Sequence, residues 1–296
     1  MSAQTLVTLF LPAALMVIMF GMGLGLVMDD FRRVSRRPLA ISLGAFGQLA
    51  LLPALGFLFA WFFEFSPGTA VGTVLLCACP GGPTSNLFTK LGGGDVALSV
   101  SLTAFSGVIT VFTIPLITNL GIATFGGDDI TVQLPVLLTT FKIGLVVIFP
   151  VIAGMRARQR LVDNLPRLAR LERRITRTSV LLLAVIIIGA VAKEGPKVAR
   201  FIGEVGLPIV GLSVAGMLAG FALARIGRLG ERQALTMAIE VGMQNGALAI
   251  GIAFTMPDPT DLVVPMVVYG LWVYVPCALA AWWGRRRFGA PQSAVL

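Results

Sequence analysis

Glu240-Val241-Gly242-Met243-Gln244-Asn245-Gly246 stands inside an apolar stretch, about 233–255, that is long enough to cross a bilayer. A carboxylate, two amides and two glycines at membrane depth do not describe an ordinary helix. Backbone freed from helical hydrogen bonds survives there only when buried in protein or lining a wet cavity. A second apolar stretch, about 68–91, is interrupted by Cys79-Pro80-Gly81-Gly82-Pro83. Proline removes donors, and paired glycines permit non-helical torsions. Thr84 or Ser85 is placed to cap the half-helix that follows, with Pro83 in its first turn. Two Gly/Pro-interrupted spans in corresponding positions of two halves are a mark of secondary transporters.

Composition agrees. Of 296 residues, 56% are hydrophobic and 12% charged, against about 25% charged in soluble domains. Mean hydropathy is +0.91. A helix needs about 20 apolar residues to span the hydrocarbon. Nine candidate spans follow, at about 4–27, 38–63, 68–91, 95–121, 131–155, 178–193, 204–224, 233–255 and 262–283. The first is too long, and lacks the basic flank, for a signal peptide. The expected fold is an all-α integral membrane protein with nine transmembrane helices. Spans 1–4 and 6–9 form inverted-topology repeats, so that broken span pairs with broken span.

The net charge of +9 reads as topology and not as nucleic-acid binding. Nineteen Lys and Arg fall on one side of the nine spans, in 28–37, at Lys90, in 156–177 and 225–232, and in the 285–287 tail. Three, Lys193, Lys197 and Arg200, fall on the other. The positive-inside rule then puts the N-terminus outside and the C-terminus in the cytoplasm. The basic 156–177 segment has a second use, contact with anionic lipid.

Several chemistries are excluded. The absence of His removes imidazole-ligated metals and Ser-His-Asp catalysis. Cys77, Cys79 and Cys277 lie in apolar runs and give no disulfide framework. No nucleophile–base pair stands out, so an enzyme is not expected. Of 14 acidic residues, Glu240 alone lies well inside a span. An intramembrane acid is a functional residue by default, with Lys142 the obvious candidate for its partner. Ser99, Thr103, Ser106 and Thr110 share one helix face, and Gln48 is a lone amide among apolar residues. Each, taken alone, is ordinary interhelical glue. Together with Ser85, Asn86, Gln244 and Asn245 they assemble hard oxygen donors, which suit Na⁺. The two half-helix starts, each carrying about half a positive charge, suit an organic anion.

Phe20–Leu24 (FGMGL), Pro80–Asn86 (PGGPTSN), Gly94–Val100 (GDVALSV) and Ile239–Ala249 (IEVGMQNGALA) resemble the hallmark segments of the bile acid:sodium symporter family. The resemblance runs over nearly the whole chain. It implies a panel domain, about 1–30 and 131–193, and a core domain, about 38–121 and 204–284, with two crossed discontinuous helices. It implies two sodium ions. One is held by Ser85, Asn86, Ser99, Thr103 and Glu240. The other is held by Gln48, Glu240, the carbonyls of Val241 and Met243, and Gln244. Thr84 and Asn245 face the substrate. Pro83 stands where many members carry Thr, which removes a hydroxyl from that face.

The expected function is sodium-coupled import of an organic anion, bile-acid-like or a smaller carboxylate, by alternating access in a bacterial inner membrane. The alternative is a cation/proton antiporter with Glu240 as proton carrier. Membrane lipid is the surrounding partner. Substrate identity and oligomeric state are not legible.

Overall fold

The computed structural model describes residues 3–127, 134–256 and 259–289. It is helical throughout. The elements are α1 (Ala3–Leu24), α2 (Met28–Arg36), α3 (Pro38–Phe62), α4 (Pro67–Ala78), α5 (Pro83–Leu91), α6 (Val96–Phe125), α7 (Val136–Leu161), α8 (Leu165–Ile226), α9 (Glu231–Gly242), α10 (Gly246–Ala253) and α11 (Thr260–Phe288). Five of these are long and apolar enough to cross a membrane, or six if the bent α1–α2 pair counts as one. The halves of the interrupted stretches, α4 with α5 and α9 with α10, have 12, 9, 12 and 8 residues. Each half is too short to span alone. Large apolar side chains such as Leu137, Phe141 and Phe149 point outward, as a lipid solvent requires.

The chain departs from the sequence reading at its polar connectors. Residues 28–36, expected as a loop, form α2, bent 65° from α1. The 156–177 insert is also mostly helix, with α7 running to Leu161 and α8 starting at Leu165. Stretches 178–193 and 204–224, expected as two crossings with a loop between, belong to one run of 62 helical residues. The cause is common to all three, because Arg, Lys and Glu are good helix formers and charge does not end a helix. α8 is nevertheless not a straight rod. Thr176 and Ser179 line the same cleft as Met243–Gly246, and Ser213 bonds to Gly242. Straight α-helix would separate Ser179 from Ser213 by about 51 Å, so α8 turns back between them. Lys193, Lys197 and Arg200, the cations expected on the outer side, lie outside the described side chains, as do residues 131–133 at the start of the fifth expected span.

Glycines set the closest helix approaches. A Cβ on Gly23 would lie 2.1 Å from the Val151 carbonyl oxygen, and one on Gly154 2.3 Å from that of Phe20. α1 and α7 therefore touch backbone to backbone, as small residues allow in membranes. A Cβ added to Gly72 or Gly220 would likewise run into the carbonyl oxygen of Leu262 or Met237. These approaches bring α4 against α11 and α8 against α9, which fixes the two interrupted stretches in the interior.

Candidate ion and cargo site

The two interruptions meet. α4 ends at Cys79, which is extended, as a residue before proline must be. α5 restarts at Pro83 with Gly82 as its N-cap and no side-chain cap bond. The capping expected of Thr84 or Ser85 is therefore absent, because both lie inside the first turn, past the N-cap position. α9 ends at Met243, also extended, and α10 starts behind Asn245, whose Oδ1 accepts from Leu248 N at 3.0 Å. Gly81 and Gln244 form an antiparallel bridge, and Asn245 N donates to Pro80 O at 2.8 Å. Part of the polar backbone freed by each break is thus satisfied by the other, as buried amides require.

Glu240 sits in the last turn of α9, fully buried. Four neutral donors converge on its carboxylate. Ser85 Oγ donates to Oε1 at 2.7 Å and Ser99 Oγ reaches the same oxygen. Thr103 Oγ1 donates to Oε2 at 3.0 Å, and Gln48 Nε2 lies 3.4 Å from it while donating to Glu240 O at 2.8 Å. Ser99 Oγ is also 2.7 Å from Asn86 Oδ1, and Thr103 Oγ1 is 3.5 Å from that oxygen. Ser85, Asn86, Ser99, Thr103 and Glu240 are therefore brought together in one cluster. Within the second break, Gln244 Nε2 donates to Val241 O at 2.8 Å. Gln48 stands in a π-turn, Gly47–Leu51, within α3, a local form common at functional sites.

Buried polar atoms of this cluster test whether a cation fits. Gln48 Oε1 and Gln244 Oε1 are buried acceptors with no protein partner. Unmatched acceptors beside a carboxylate are what a hard cation satisfies. The hydroxyl and amide oxygens around the one carboxylate are a hard donor set, which suits an alkali ion.

Lys142 is not part of this cluster. It is exposed on α7 between outward-facing Phe141 and Leu145, and among the described residues no Lys or Arg pairs with Glu240. A long amphipathic side chain can reach the bilayer surface from such a position, and neutral donors already surround the acid. The hydroxyl stripe also divides. Ser106 donates to Leu102 O at 2.7 Å and Thr110 to Gly107 O at 3.2 Å, so only Ser99 and Thr103 reach Glu240.

A cleft of about 160 Å³ adjoins the crossing, lined by Thr84 and Asn245 from the half-helix starts and by Ile18, Thr176 and Ser179 from α1 and α8. Asn245 Nδ2 and Ser179 Oγ are buried here with no protein partner. The sequence reading missed Tyr269 and Ser213. The Tyr269 hydroxyl donates to Gly242 O at 2.7 Å and accepts from Gln244 N at 2.6 Å, and Ser213 donates to Gly242 O at 3.0 Å. The available signal was a phenol, one of two Tyr in the chain, inside an apolar span where its hydroxyl needs a partner.

Two interrupted helices that meet at their breaks, a buried carboxylate ringed by oxygens and an adjoining cleft are the marks of a secondary transporter. Comparison with known proteins gives the family. The model of the Sodium Bile acid symporter family matches residues 12–201. The probable sodium/metabolite cotransporter BASS2 of Oryza sativa subsp. japonica chloroplasts is 31% identical over 276 residues, 91% of this chain. The chain spans 62% of that protein's length, less than two thirds. The uncharacterized sodium-dependent transporter YocS of Bacillus subtilis is 29% identical over 292 residues, covering 96% of this chain and 86% of YocS. The human ileal sodium/bile acid cotransporter is 29% identical over 257 residues, 85% of this chain and 71% of its own length. This chain belongs to the sodium bile acid symporter family, whose members are transporters and not enzymes.

Proposed function

We propose that this protein is a sodium-coupled symporter that imports an organic anion, bile-acid-like or a smaller carboxylate, together with two Na⁺. One ion is held by Ser85, Asn86, Ser99, Thr103 and Glu240. The second is held by Gln48, Glu240, the carbonyls of Val241 and Met243, and Gln244. Thr84 and Asn245 face the anion at the two half-helix starts. The observation that carries this reading is the buried Glu240 carboxylate on which Ser85, Ser99, Thr103 and Gln48 converge, together with the buried, unpartnered side-chain oxygens of Gln48 and Gln244. Glu240, two sodium ions and a monoanion together leave the core neutral. A neutral core crosses the membrane field more readily than one holding a bare carboxylate. The cycle imports one net positive charge, and an interior-negative potential assists it by about 2.3 kcal/mol per 100 mV.

Nine crossings place the N-terminus outside and the C-terminus in the cytoplasm of a bacterial inner membrane. Residues 1–30 and 131–193 form the panel, and 38–121 and 204–284 the core that moves against it. The extensive packing of α1 along α7 and against α8 supports that division.

The test is uptake into proteoliposomes of a panel of radiolabelled organic anions, with and without an inward Na⁺ gradient. Uptake that requires Na⁺ and rises with interior-negative potential is expected. Uptake indifferent to Na⁺ overturns the reading. Proton release on adding Na⁺ with no organic solute present would mark an exchanger instead.

A further inference from the structure

The second break is held by a side chain that belongs to neither interrupted stretch. Tyr269, on α11, is buried. Its hydroxyl closes a ring around the Met243 peptide, donating to the carbonyl before it (Gly242) and accepting the amide after it (Gln244). Met243 between them is extended, at φ −121° and ψ 102°. Successive carbonyls of extended backbone point to opposite sides. Drawing Gly242 O toward Tyr269 and Ser213 therefore turns the Met243 carbonyl away from them. Val241 O is fixed separately, by Gln244 Nε2. Without the phenol, the Gly242 and Met243 peptides could rotate, since glycine imposes little torsional preference.

The same ring lines the cleft, next to Met243, Gln244 and Asn245. Whatever occupies the cleft therefore meets Tyr269, while the Tyr269 oxygen sets the backbone of the ion-binding turn. We propose that Tyr269 is a positioning residue: its hydroxyl aims the Met243 main-chain carbonyl at sodium and transmits cleft occupancy to sodium affinity. This rests on the symport reading, and it adds a residue from outside the crossing that ties the two ligands together.

The hydroxyl acts on sodium through the backbone and not by contact, so its role differs from packing in a way that can be measured. Tyr269→Phe keeps the ring and removes the oxygen. The purified full chain is followed by thermal unfolding against Na⁺ concentration, with LiCl or choline chloride holding ionic strength. The Na⁺ half-saturation point is expected to rise about tenfold, the equivalent of one lost hydrogen bond to a fixed group. The melting temperature in choline chloride is expected to stay near wild type. Uptake should show the same rise in Na⁺ requirement with little change in maximal rate at saturating Na⁺. Ser213→Ala, which removes the second donor to Gly242 O, should move the half-saturation point in the same direction by less, and it serves if Tyr269→Phe does not fold. An unchanged Na⁺ half-saturation, or a loss of stability in choline chloride that accounts for the whole effect, overturns the proposal. A wild-type protein that Na⁺ does not stabilise overturns the symport reading itself, and this inference with it.

Discussion

The two breaks do the same geometric task by different means. The first, residues 79–82, is set by its own chemistry. Pro80 and Pro83 bracket Gly81 and Gly82, and α5 needs no side-chain cap. The second, residues 243–245, is set by its neighbours. Asn245 caps α10, while Tyr269 and Ser213 hold the turn from α11 and α8. Their contributions differ accordingly. The first break delivers side chains, Ser85 and Asn86, to a carboxylate. The second supplies the carboxylate and a turn of main-chain carbonyls. A locally determined element can present rigid side chains, whereas a turn that must adjust to ligand is held by bonds that can be altered from outside.

Removing what the breaks share should have the largest effect. Glu240→Gln is expected to abolish Na⁺-dependent uptake while the protein still inserts and purifies, because the amide keeps the shape and loses the charge. Retained Na⁺ coupling would remove the acid from the ion shell. Next comes a contrast between the breaks. A Cβ at Gly81 would stand 2.7 Å from Glu240 Oε2 and 3.0 Å from Gln48 Nε2, whereas one at Gly246 would meet nothing nearer than Met266 O at 3.8 Å. Gly81→Ala should therefore destabilise by about 2 kcal/mol, as overpacking does, and should weaken the Na⁺ response. Gly246→Ala should be close to neutral in thermal unfolding. Equal effects would mean that the crossing is looser than it is drawn.

Smaller effects sharpen the division of labour. Gln48→Ala removes the donor to Glu240 O and should raise the Na⁺ requirement several-fold, on the order of 1 kcal/mol, measured by Na⁺ titration of uptake. Asn245→Ala removes the α10 cap, a loss of about 1 kcal/mol. It should weaken anion affinity more than Na⁺ affinity in a thermal-shift titration, and the reverse ranking would place the cargo elsewhere. The smallest is Lys142→Met. With the ammonium exposed on α7 and away from Glu240, Na⁺-dependent uptake should be unchanged.

The same contrast explains what the sequence could disclose. The break at 79–82 is legible from Pro and Gly alone, since their torsional limits act locally. Glu240 is legible because an acid among apolar residues has few innocent explanations. The stripe Ser99–Thr110 is legible as a face but not as a site. Whether a hydroxyl reaches the acid or returns to its own helix depends on how far along α6 the α9 terminus lies. Tyr269 and Ser213 are separated from Gly242 by 27 and 29 residues, and only packing joins them. The connectors misled for another reason: charge marks the aqueous side of a membrane, but Arg-rich segments such as 28–36 and 165–177 remain good helix formers.

Gly23 and Gly154 carry a mechanical consequence. With main chain seated on main chain, α1 and α7 have no interposed side chains to act as rollers, and sliding one along the other would drive carbonyls into α-carbons. That seam is a weld. The open space in the molecule lies elsewhere, along the gap between Ile18, Thr176 and Ser179 on one bank and Thr84 and Asn245 on the other.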